Sequence, residues 1–392
     1  MHDSPPPRPH LVLMALAVGV CALGMDMFVL IGVLDPLAAD LAMTPRQAGW
    51  IISAYAICYA LCAPINVMLF GRIDRRLALV LGPVLFTAGN VICVCGSGII
   101  AIVVGRLICA FGGALFMPTA IATAQDIVPA ERKGIALSSI YGGMTLAQAA
   151  GIPAVTWLAQ TAGWRAALYG VIASGLIAIL ALSALASQLR PSTNSNTSNS
   201  VRRGAFGLPV AGLLATTFLI VVSDYAVYSY VSIIFEQTRH SGVPILPLVL
   251  FAFGIGGVIG NIATGILTDR IGPTRVLLGT VATQTLLLIA VVLGRANGAA
   301  AVALSLLWGA TTYMYLVPIQ HRLLSRADTA QRLVLALNGS LVNFGIAAGA
   351  AIGGMALERG GPSALIVPAG AIGVAAILTG GIFVPRRKGD PH

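Results

Sequence analysis

Two aspartates lie inside long apolar segments, one in each half of the chain: Asp26 in ALGMDMFVLIGVL and Asp224 in LIVVSDYAVYSYV. An ionisable side chain at the centre of a hydrocarbon layer costs roughly 2.5–3.5 kcal/mol on insertion scales, so it is usually kept for an ion pathway, a proton relay or a ligand. The two aspartates recur at an equivalent depth. This recurrence indicates a carrier built from two related halves.

Arg106 is a basic residue inside an apolar segment. At 1.5 Å per helical residue, Asp26 lies about 22 Å above Leu11 in a ~30 Å hydrocarbon core, and Arg106 lies about 10 Å below Ile99 on the opposite surface. The two charges are at similar depth and can meet if their helices line one cavity. One interpretation is that Asp26 exchanges protons and Arg106 responds, because protonation would release it. The other is a static buried pair that holds the helices together.

Asp224 and Tyr228 share a helix face at i, i+4 spacing, so one wall can offer a carboxylate and a phenol to a polar or amphipathic organic solute. Asp224 can instead be a proton site, or face the outer vestibule. Among the polar residues of the glycine-rich segments we select Gln148 and Asn343 as further substrate-binding candidates. Their default role is hydrogen bonding between helices, worth roughly 0.6 kcal/mol.

The composition is that of a polytopic membrane protein. Hydrophobic residues make up 57% of the chain and charged residues 9%, and the mean hydropathy is +0.92, far from the averages of soluble domains. Apolar runs of about 20–25 residues are each long enough to cross the membrane once as a helix. We predict twelve transmembrane helices, at residues 11–34, 47–70, 77–97, 99–123, 134–158, 164–187, 207–232, 244–268, 274–294, 298–320, 331–355 and 364–384.

One long polar stretch, QLRPSTNSNTSNSVRRG, divides the chain into two sets of six predicted helices. Its Ser, Asn and Thr content cannot bury a core and is typical of a flexible linker. We predict a cytoplasmic tail at 1–10, a six-helix bundle at 11–187, a linker at 188–206, a second bundle at 207–384 and a tail at 385–392.

The basic residues predict the orientation. With the N-terminus inside, 17 of the 23 Lys and Arg residues lie on the cytoplasmic side and 5 on the outer side, leaving Arg106 deep within a helix. Short cytoplasmic loops carry such an excess, so both termini are expected in the cytoplasm. The same distribution accounts for the net charge of +10 without a nucleic-acid partner.

Several classes of function are disfavoured. The chain has no Walker A motif, no HExxH motif and no histidine within an apolar segment, and its six cysteines all lie in apolar segments where they serve packing. We therefore expect neither an enzyme nor a metal site or cofactor.

The loop after the second predicted helix of each half carries a shared charge pattern. FGRIDRR contains Asp74 and Arg75, and the run from Gly265 to Arg275 reads G-x-x-x-D-R-x-G-x-x-R, with Asp269 and Arg270 at its centre. A small residue at a helix end permits close helix contact, and an aspartate can accept hydrogen bonds from a helix N-terminus. We predict that these six residues gate the inner face; the alternative is that the charges only anchor a short loop. The gating set is Asp74, Arg75, Gly265, Asp269, Arg270 and Arg275.

The run from Gly265 to Arg275 resembles the cytoplasmic loop signature of the major facilitator superfamily, between the second and third helix of a half. Supporting runs are GRLICAFGGALFMPTAIATAQDIVPAERKGIAL, GIPAVTWLAQTAGWR and VPIQHRLL followed by LNGSLVNFGIAAGAAIGG. Together they resemble the twelve-helix drug:proton antiporter branch, and within it bacterial efflux permeases for sugars, nucleosides and drugs. Departures are Phe70, Leu77 and Ala78 in the first-half loop, and Ile152 and Pro153 in the fifth helix.

The resemblance implies a fold and a function. The fold is an all-α polytopic membrane protein with the major facilitator fold, in two pseudo-symmetric six-helix bundles. The function is secondary active efflux of a small organic solute by proton antiport, in the inner membrane of a bacterium, by a monomer. A passive facilitator or importer without proton coupling shares the fold and is the alternative.

Overall fold

The computed structural model describes residues 9–69, 74–129, 133–186, 207–236, 238–240, 243–324 and 331–383. The predicted linker at 188–206 and the C-terminal tail at 385–392 lie outside these ranges. Nearly all of the described residues are helical. Two short strands of the described residues, β1 (Arg239–His240) and β2 (Val243–Pro244), form an antiparallel pair.

The helices of the first half are α1 (Pro9–Asp40), α2 (Pro45–Leu69), α3 (Arg75–Cys95), α4 (Ile99–Asp126), α5 (Lys133–Leu146), α6 (Ile152–Ala162) and α7 (Trp164–Ala186). A π-helical turn, Ala147–Gly151, joins α5 to α6. The helices of the second half are α8 (Leu208–Tyr228), α9 (Val231–Ile234), α10 (Leu246–Ile271), α11 (Pro273–Leu293), α12 (Gly298–Met314), α13 (Leu316–Leu324), α14 (Gln331–Gly360) and α15 (Ile366–Phe383).

Among the described residues, ten helices are long and apolar enough to cross a membrane. The two remaining predicted spans fall on α2 and on the run from α5 through the π turn to α6. The count of twelve crossings therefore stays a prediction, while the helical, membrane-type architecture is confirmed.

The chain forms two compact units. The first contains Met1–Leu37 and Ala54–Ser198, and the second contains Ala38–Ser53 and Asn199–His392. Within the second unit, the Ser53 hydroxyl of α2 donates to the Ala347 carbonyl of α14 at 2.8 Å. The end of α1 and the start of α2 are thus grouped with the helices of the second half.

Apolar side chains are found both inside the helix bundles and on their outer surfaces. In the first unit Leu16, Leu23, Phe86 and Phe116 pack into one core cluster. Large apolar residues are also strongly exposed; Ile100 is 76% exposed. Such exposure is costly in water but neutral against lipid tails, which are as apolar as the side chains themselves.

Two of the predicted continuous spans are broken near a proline. Proline has no N–H to bond the carbonyl four residues earlier and its ring crowds that carbonyl. For Pro318 the affected residue is Met314, where α12 ends, and the Met314 carbonyl instead accepts a hydrogen bond from the Thr264 hydroxyl at 2.7 Å. In the fifth span, Pro153 is the second residue of α6, which follows the π turn, a wider helical turn that accommodates such a break.

Candidate functional site

Asp26 is completely buried in the middle of α1, with 0% of its surface exposed. Three side chains donate hydrogen bonds to its carboxylate. Arg106 Nη1 and Asn90 Nδ2 reach Oδ1 at 2.9 and 2.5 Å, and the Tyr55 hydroxyl reaches Oδ2 at 3.3 Å. The charges of Asp26 and Arg106 therefore form an ion pair, as the depth estimate from the sequence allowed.

Arg106 is also fixed by two further contacts. Its Nη2 donates to the backbone carbonyl of Asp26 at 2.9 Å. Its guanidinium lies over the Tyr55 ring, 4.2 Å from the ring centroid, where the ring face attracts a cation. The Asp26–Arg106 pair is therefore shielded from water, and Arg106 is held both by hydrogen bonds to Asp26 and by contact with the Tyr55 ring.

Close packing of α3 on α4 brings the partners of Asp26 together. Gly89 and Gly105 lie opposite each other, and a Cβ built on Gly105 would come within 2.5 Å of both the Gly89 carbonyl oxygen and the Cys93 sulfur. Asn90 and Arg106 are the next residues along each helix. Because the two backbones approach this closely, the side chains of Asn90 and Arg106 reach the same carboxylate oxygen.

Asp224 is the buried carboxylate of the second unit, 3% exposed, in α8. The Trp308 indole N–H donates to its Oδ1 at 2.7 Å, and the Thr312 hydroxyl lies 3.5 Å from the same atom. Both donors belong to α12 and are four residues apart, so they share a face. In the described part of the second unit, Asp224 makes no ion pair.

Aromatic rings surround Asp224. The Tyr228 ring stacks on Phe253 with centroids 4.7 Å apart, and Trp308 meets both rings edge-on, at 5.6 Å from Tyr228 and 4.9 Å from Phe253. The rings exclude water from the carboxylate and supply an apolar surface beside it. Asp224 and Tyr228, which the sequence predicts on one helix face, therefore lie beside the rings of Phe253 and Trp308.

The other two substrate-binding candidates are placed differently. Gln148 lies in the π turn and is 8% exposed. Asn343 in α14 donates from its amide nitrogen to the Gly339 carbonyl at 3.1 Å, while its Oδ1 is buried without a partner in the described residues. The Asn343 side chain thus bonds within its own helix.

The gating candidates of the first unit are bound at the ends of helices. Asp74 caps α3 by accepting from the Arg76 backbone N–H at 3.0 Å. Arg75 pairs with Asp126 at the end of α4, with Nη2 and Oδ2 2.6 Å apart, although the Asp126 side chain is 55% exposed. The Arg75–Asp126 pair joins the start of α3 to the end of α4.

In the second unit, Gly265 and Asp269 lie in the last turns of α10, and their side-chain surroundings fall outside the description. Gly272 forms the turn into α11 with a φ of 83°, a conformation that favours glycine. Arg270 and Arg275 are exposed, and neither pairs with a carboxylate of the described residues. The predicted gating role of this loop stays a prediction.

The site residues that the sequence analysis does not single out are Tyr55, Asn90, Trp308 and Thr312. Aromatic and Thr residues are common in apolar helices, so none stands out by type. The internal repeat could have identified Trp308, because Trp308 occupies the position in the second half that is equivalent to Arg106 in the first.

Comparison with known proteins identifies the family. Residues 16–332 match the Major Facilitator Superfamily. The chain is 28% identical over 382 residues to the inner membrane transport protein YdhP of Escherichia coli (strain K12), covering 96% of each chain. It is 29% identical over 352 residues to the uncharacterized MFS-type transporter YtbD of Bacillus subtilis (strain 168), covering 88% of this chain and 87% of that one.

Solved structures show the same fold at low identity. The peptide transporter POT in complex with sulfate superposes with a TM-score of 0.77 at 13% identity, covering 96% of this chain and 94% of that chain. The partially occluded inward open xylose transporter XylE from E. coli gives 0.73 at 15% identity, covering 98% and 99%. The all-α membrane architecture is therefore the major facilitator fold, and the match is to transporters rather than to enzymes. The chain belongs to the major facilitator superfamily of membrane transporters.

Proposed function

We propose that the protein is a secondary active exporter that moves a small organic solute out of a bacterial cell across the inner membrane, by alternating access, in exchange for protons. It works as a monomer of the drug:proton antiporter branch and contributes to drug resistance where the solute is a drug. The observation that carries this proposal is the Asp26–Arg106 pair, in which both side chains are at most 1% exposed.

The proposed cycle uses the pair as the proton-coupling element. In its ionised form Asp26 binds Arg106, Asn90 and Tyr55. A proton on the carboxylate removes the attraction for Arg106, so the hydrogen bonds between α1, α3 and α4 rearrange. Access to the outside and access to the inside then correspond to the two states of this pair, and the bound solute and proton travel in opposite directions.

A test uses everted membrane vesicles with a dye that reports the pH gradient. Sugars, nucleosides and amphipathic drugs are added to vesicles with the wild type, with Asp26→Asn and with Asp40→Asn. The Asp40 side chain is an exposed carboxylate at the end of the same helix, so this variant controls for the chemical change. We expect a transported compound to dissipate the gradient with the wild type and Asp40→Asn but not with Asp26→Asn. A compound that dissipates it equally with Asp26→Asn would contradict coupling at this site.

The second candidate function is a passive facilitator or importer without proton coupling. It is favoured by the tightness of the pair, since Arg106 binds both the carboxylate and the backbone carbonyl of Asp26, as a static structural pair does. Radiolabelled solute that crosses the vesicle membrane with no proton signal would support this function and assign the pair a structural role.

A further inference from the structure

The second unit repeats the Asp26 site with its positive charge removed. Four positions recur roughly 200 residues later in the sequence, each on the corresponding long helix of the second half. The pairs are Asp26 with Asp224, Tyr55 with Phe253, Asn90 with Gln284, and Arg106 with Trp308.

The contacts within each unit follow the same plan. In the first, a donor from α4 bonds Oδ1 of the aspartate and lies against an aromatic ring of α2. In the second, a donor from α12 bonds Oδ1 of the aspartate and lies against an aromatic ring of α10. The Trp308 indole thus holds the place of the Arg106 guanidinium. It keeps the hydrogen bond and omits the charge.

Asp224 has no counter-charge among the described residues of its unit. Among the six apolar segments of the second half, the only basic residues are Arg275 and Arg332, each at the second position from the cytoplasmic end. A buried carboxylate that is neither paired nor protonated costs several kcal/mol. Asp224 must therefore either hold a proton or have its charge balanced by a cation that comes from outside the helices.

Unused hydrogen-bonding groups lie at the same place. Among the described residues, the two side chains that hydrogen-bond Asp224 with ordinary geometry, Trp308 and Thr312, both bond Oδ1. The Gln284 side chain lies beside the carboxylate and is 3% exposed, yet neither its Oε1 nor its Nε2 makes a hydrogen bond of acceptable geometry in the described part. Two acceptors, Asp224 Oδ2 and Gln284 Oε1, are thus available to a ligand that carries N–H donors.

We propose that Asp224 and Gln284 bind the protonated amine of an organic solute, which supplies in the second unit the positive charge that Arg106 supplies in the first. The ammonium N–H groups bond Asp224 Oδ2 and Gln284 Oε1, and the rings of Tyr228, Phe253 and Trp308 contact the apolar body of the solute. This assignment of substrate class rests on the proposed export function, but the binding of an amine can be measured without transport.

Asp224 is the carboxylic acid of this site, and its titratable neighbours are tyrosines. Its titratable neighbours are Tyr225, Tyr228 and Tyr315, and Tyr313 lies near all three. The helices packed against α8 carry their described charged side chains near their ends, at Arg275, His321, Arg322, Glu358 and Arg359. A proton that leaves Asp224 when the amine binds is therefore released rather than passed to a neighbouring base.

The test is calorimetric titration of the purified full-length protein in detergent at pH 7. Three probes share one hydrocarbon body: 2-phenylethylamine, its trimethylammonium analogue and 2-phenylethanol. The first carries charge and N–H donors, the second charge alone and the third neither. We expect the amine to bind, the trimethylammonium analogue to bind about tenfold more weakly because it cannot donate hydrogen bonds, and the alcohol not to bind.

Two variants locate the site. Asp224→Asn removes the charge, and Trp308→Arg places a guanidinium beside Asp224, as Arg106 stands beside Asp26. We expect each to weaken amine binding about tenfold or more, while Asp40→Asn binds as the wild type does. Should Asp224→Asn fail to fold, Trp308→Arg still decides, since the same ion pair already exists in the first unit.

Absence of amine binding by the wild type, or amine binding that is equally tight in Trp308→Arg, would overturn the assignment. These outcomes are separate from failure of the proposed export function. That function fails when vesicles show no proton movement with any solute, whether or not the purified protein binds the amine.

Discussion

At the scale of single residues, the two buried aspartates differ in how their charge is balanced. Asp26 has an arginine, an amide and a phenol as donors, whereas Asp224 has an indole and a hydroxyl. A buried ion pair adds little stability over an apolar pair of the same size, but breaking it leaves an uncompensated charge. The cost of losing each partner of Asp26 should therefore depend on whether that partner carries charge.

We predict that Arg106→Met destabilises the protein far more than Tyr55→Phe does. Removing Arg106 leaves the carboxylate of Asp26 buried without a counter-charge, at a cost of about 3–5 kcal/mol. Tyr55→Phe removes one neutral donor at 3.3 Å, at about 0.5–1.5 kcal/mol. Thermal unfolding of the purified variants in detergent measures both effects.

A double variant provides the control. Adding Asp26→Asn to Arg106→Met removes both charges, so most of the lost stability should return, because no uncompensated charge remains. If Arg106→Met unfolds at the wild-type temperature, the pair does not hold its helices together, and Asp26 is already neutral in the folded protein.

At the scale of helices, the geometry of the Asp26 site depends on small residues. Gly89 and Gly105 let α3 and α4 approach until backbone atoms touch. In the same way Gly143 of α5 meets the Ala17 carbonyl of α1, and Gly151 meets Met25, the neighbour of Asp26. Close helix contacts at these glycines therefore fix the positions of the neighbouring residues Asp26, Asn90 and Arg106.

Gly105→Ala should disturb the site through packing alone. The added methyl group meets Cys93 Sγ and the Gly89 carbonyl at 2.5 Å, so α3 and α4 must separate, at a cost of about 1–3 kcal/mol for an overpacked core. The shift also moves Arg106 away from Asp26, and we expect transport activity to fall with the unfolding temperature.

The matched change is Gly142→Ala, where the new methyl group meets no atom within 4 Å. Alanine is favoured over glycine inside a helix by about 0.5–1 kcal/mol, so this variant should be as stable as the wild type or slightly more so. Equal unfolding temperatures for Gly105→Ala and Gly142→Ala would show that α3 and α4 are not packed as closely as described.

The sequence predicted the helices and the depth of their charges, but not the contacts around them. Hydropathy and helical rise were enough to place Asp26 and Arg106 at one level. They could not show that Asn90 joins the pair or that Trp308 bonds Asp224, because those contacts depend on which faces of distant helices meet. Hydropathy also could not predict the helix breaks at prolines, because it carries no information on the backbone hydrogen bond that Pro318 removes from the Met314 carbonyl.

At the scale of the whole molecule, the internal repeat makes the differences between the halves informative. Both halves keep an aspartate in the first long helix, but the fourth long helix offers an arginine in one half and a tryptophan in the other. We propose that these differences reflect a division of roles, with proton coupling in the first unit and amine binding in the second. Membership of the major facilitator superfamily identifies the protein as a transporter. The vesicle and calorimetric experiments test whether the two units have these separate roles.

The final prediction concerns orientation in the membrane. The twelve predicted crossings place 17 of 23 basic residues on one side, so both termini are expected in the cytoplasm and the turn at Gly163, between α6 and α7, outside. Alkaline phosphatase needs disulfides and is active only after export, whereas green fluorescent protein fluoresces when it folds inside. Phosphatase fused after Gly163 should be active and after His392 inactive, with the opposite result for the fluorescent reporter. An active phosphatase after His392 would reverse the topology and, with it, the direction in which protons and solute are proposed to move.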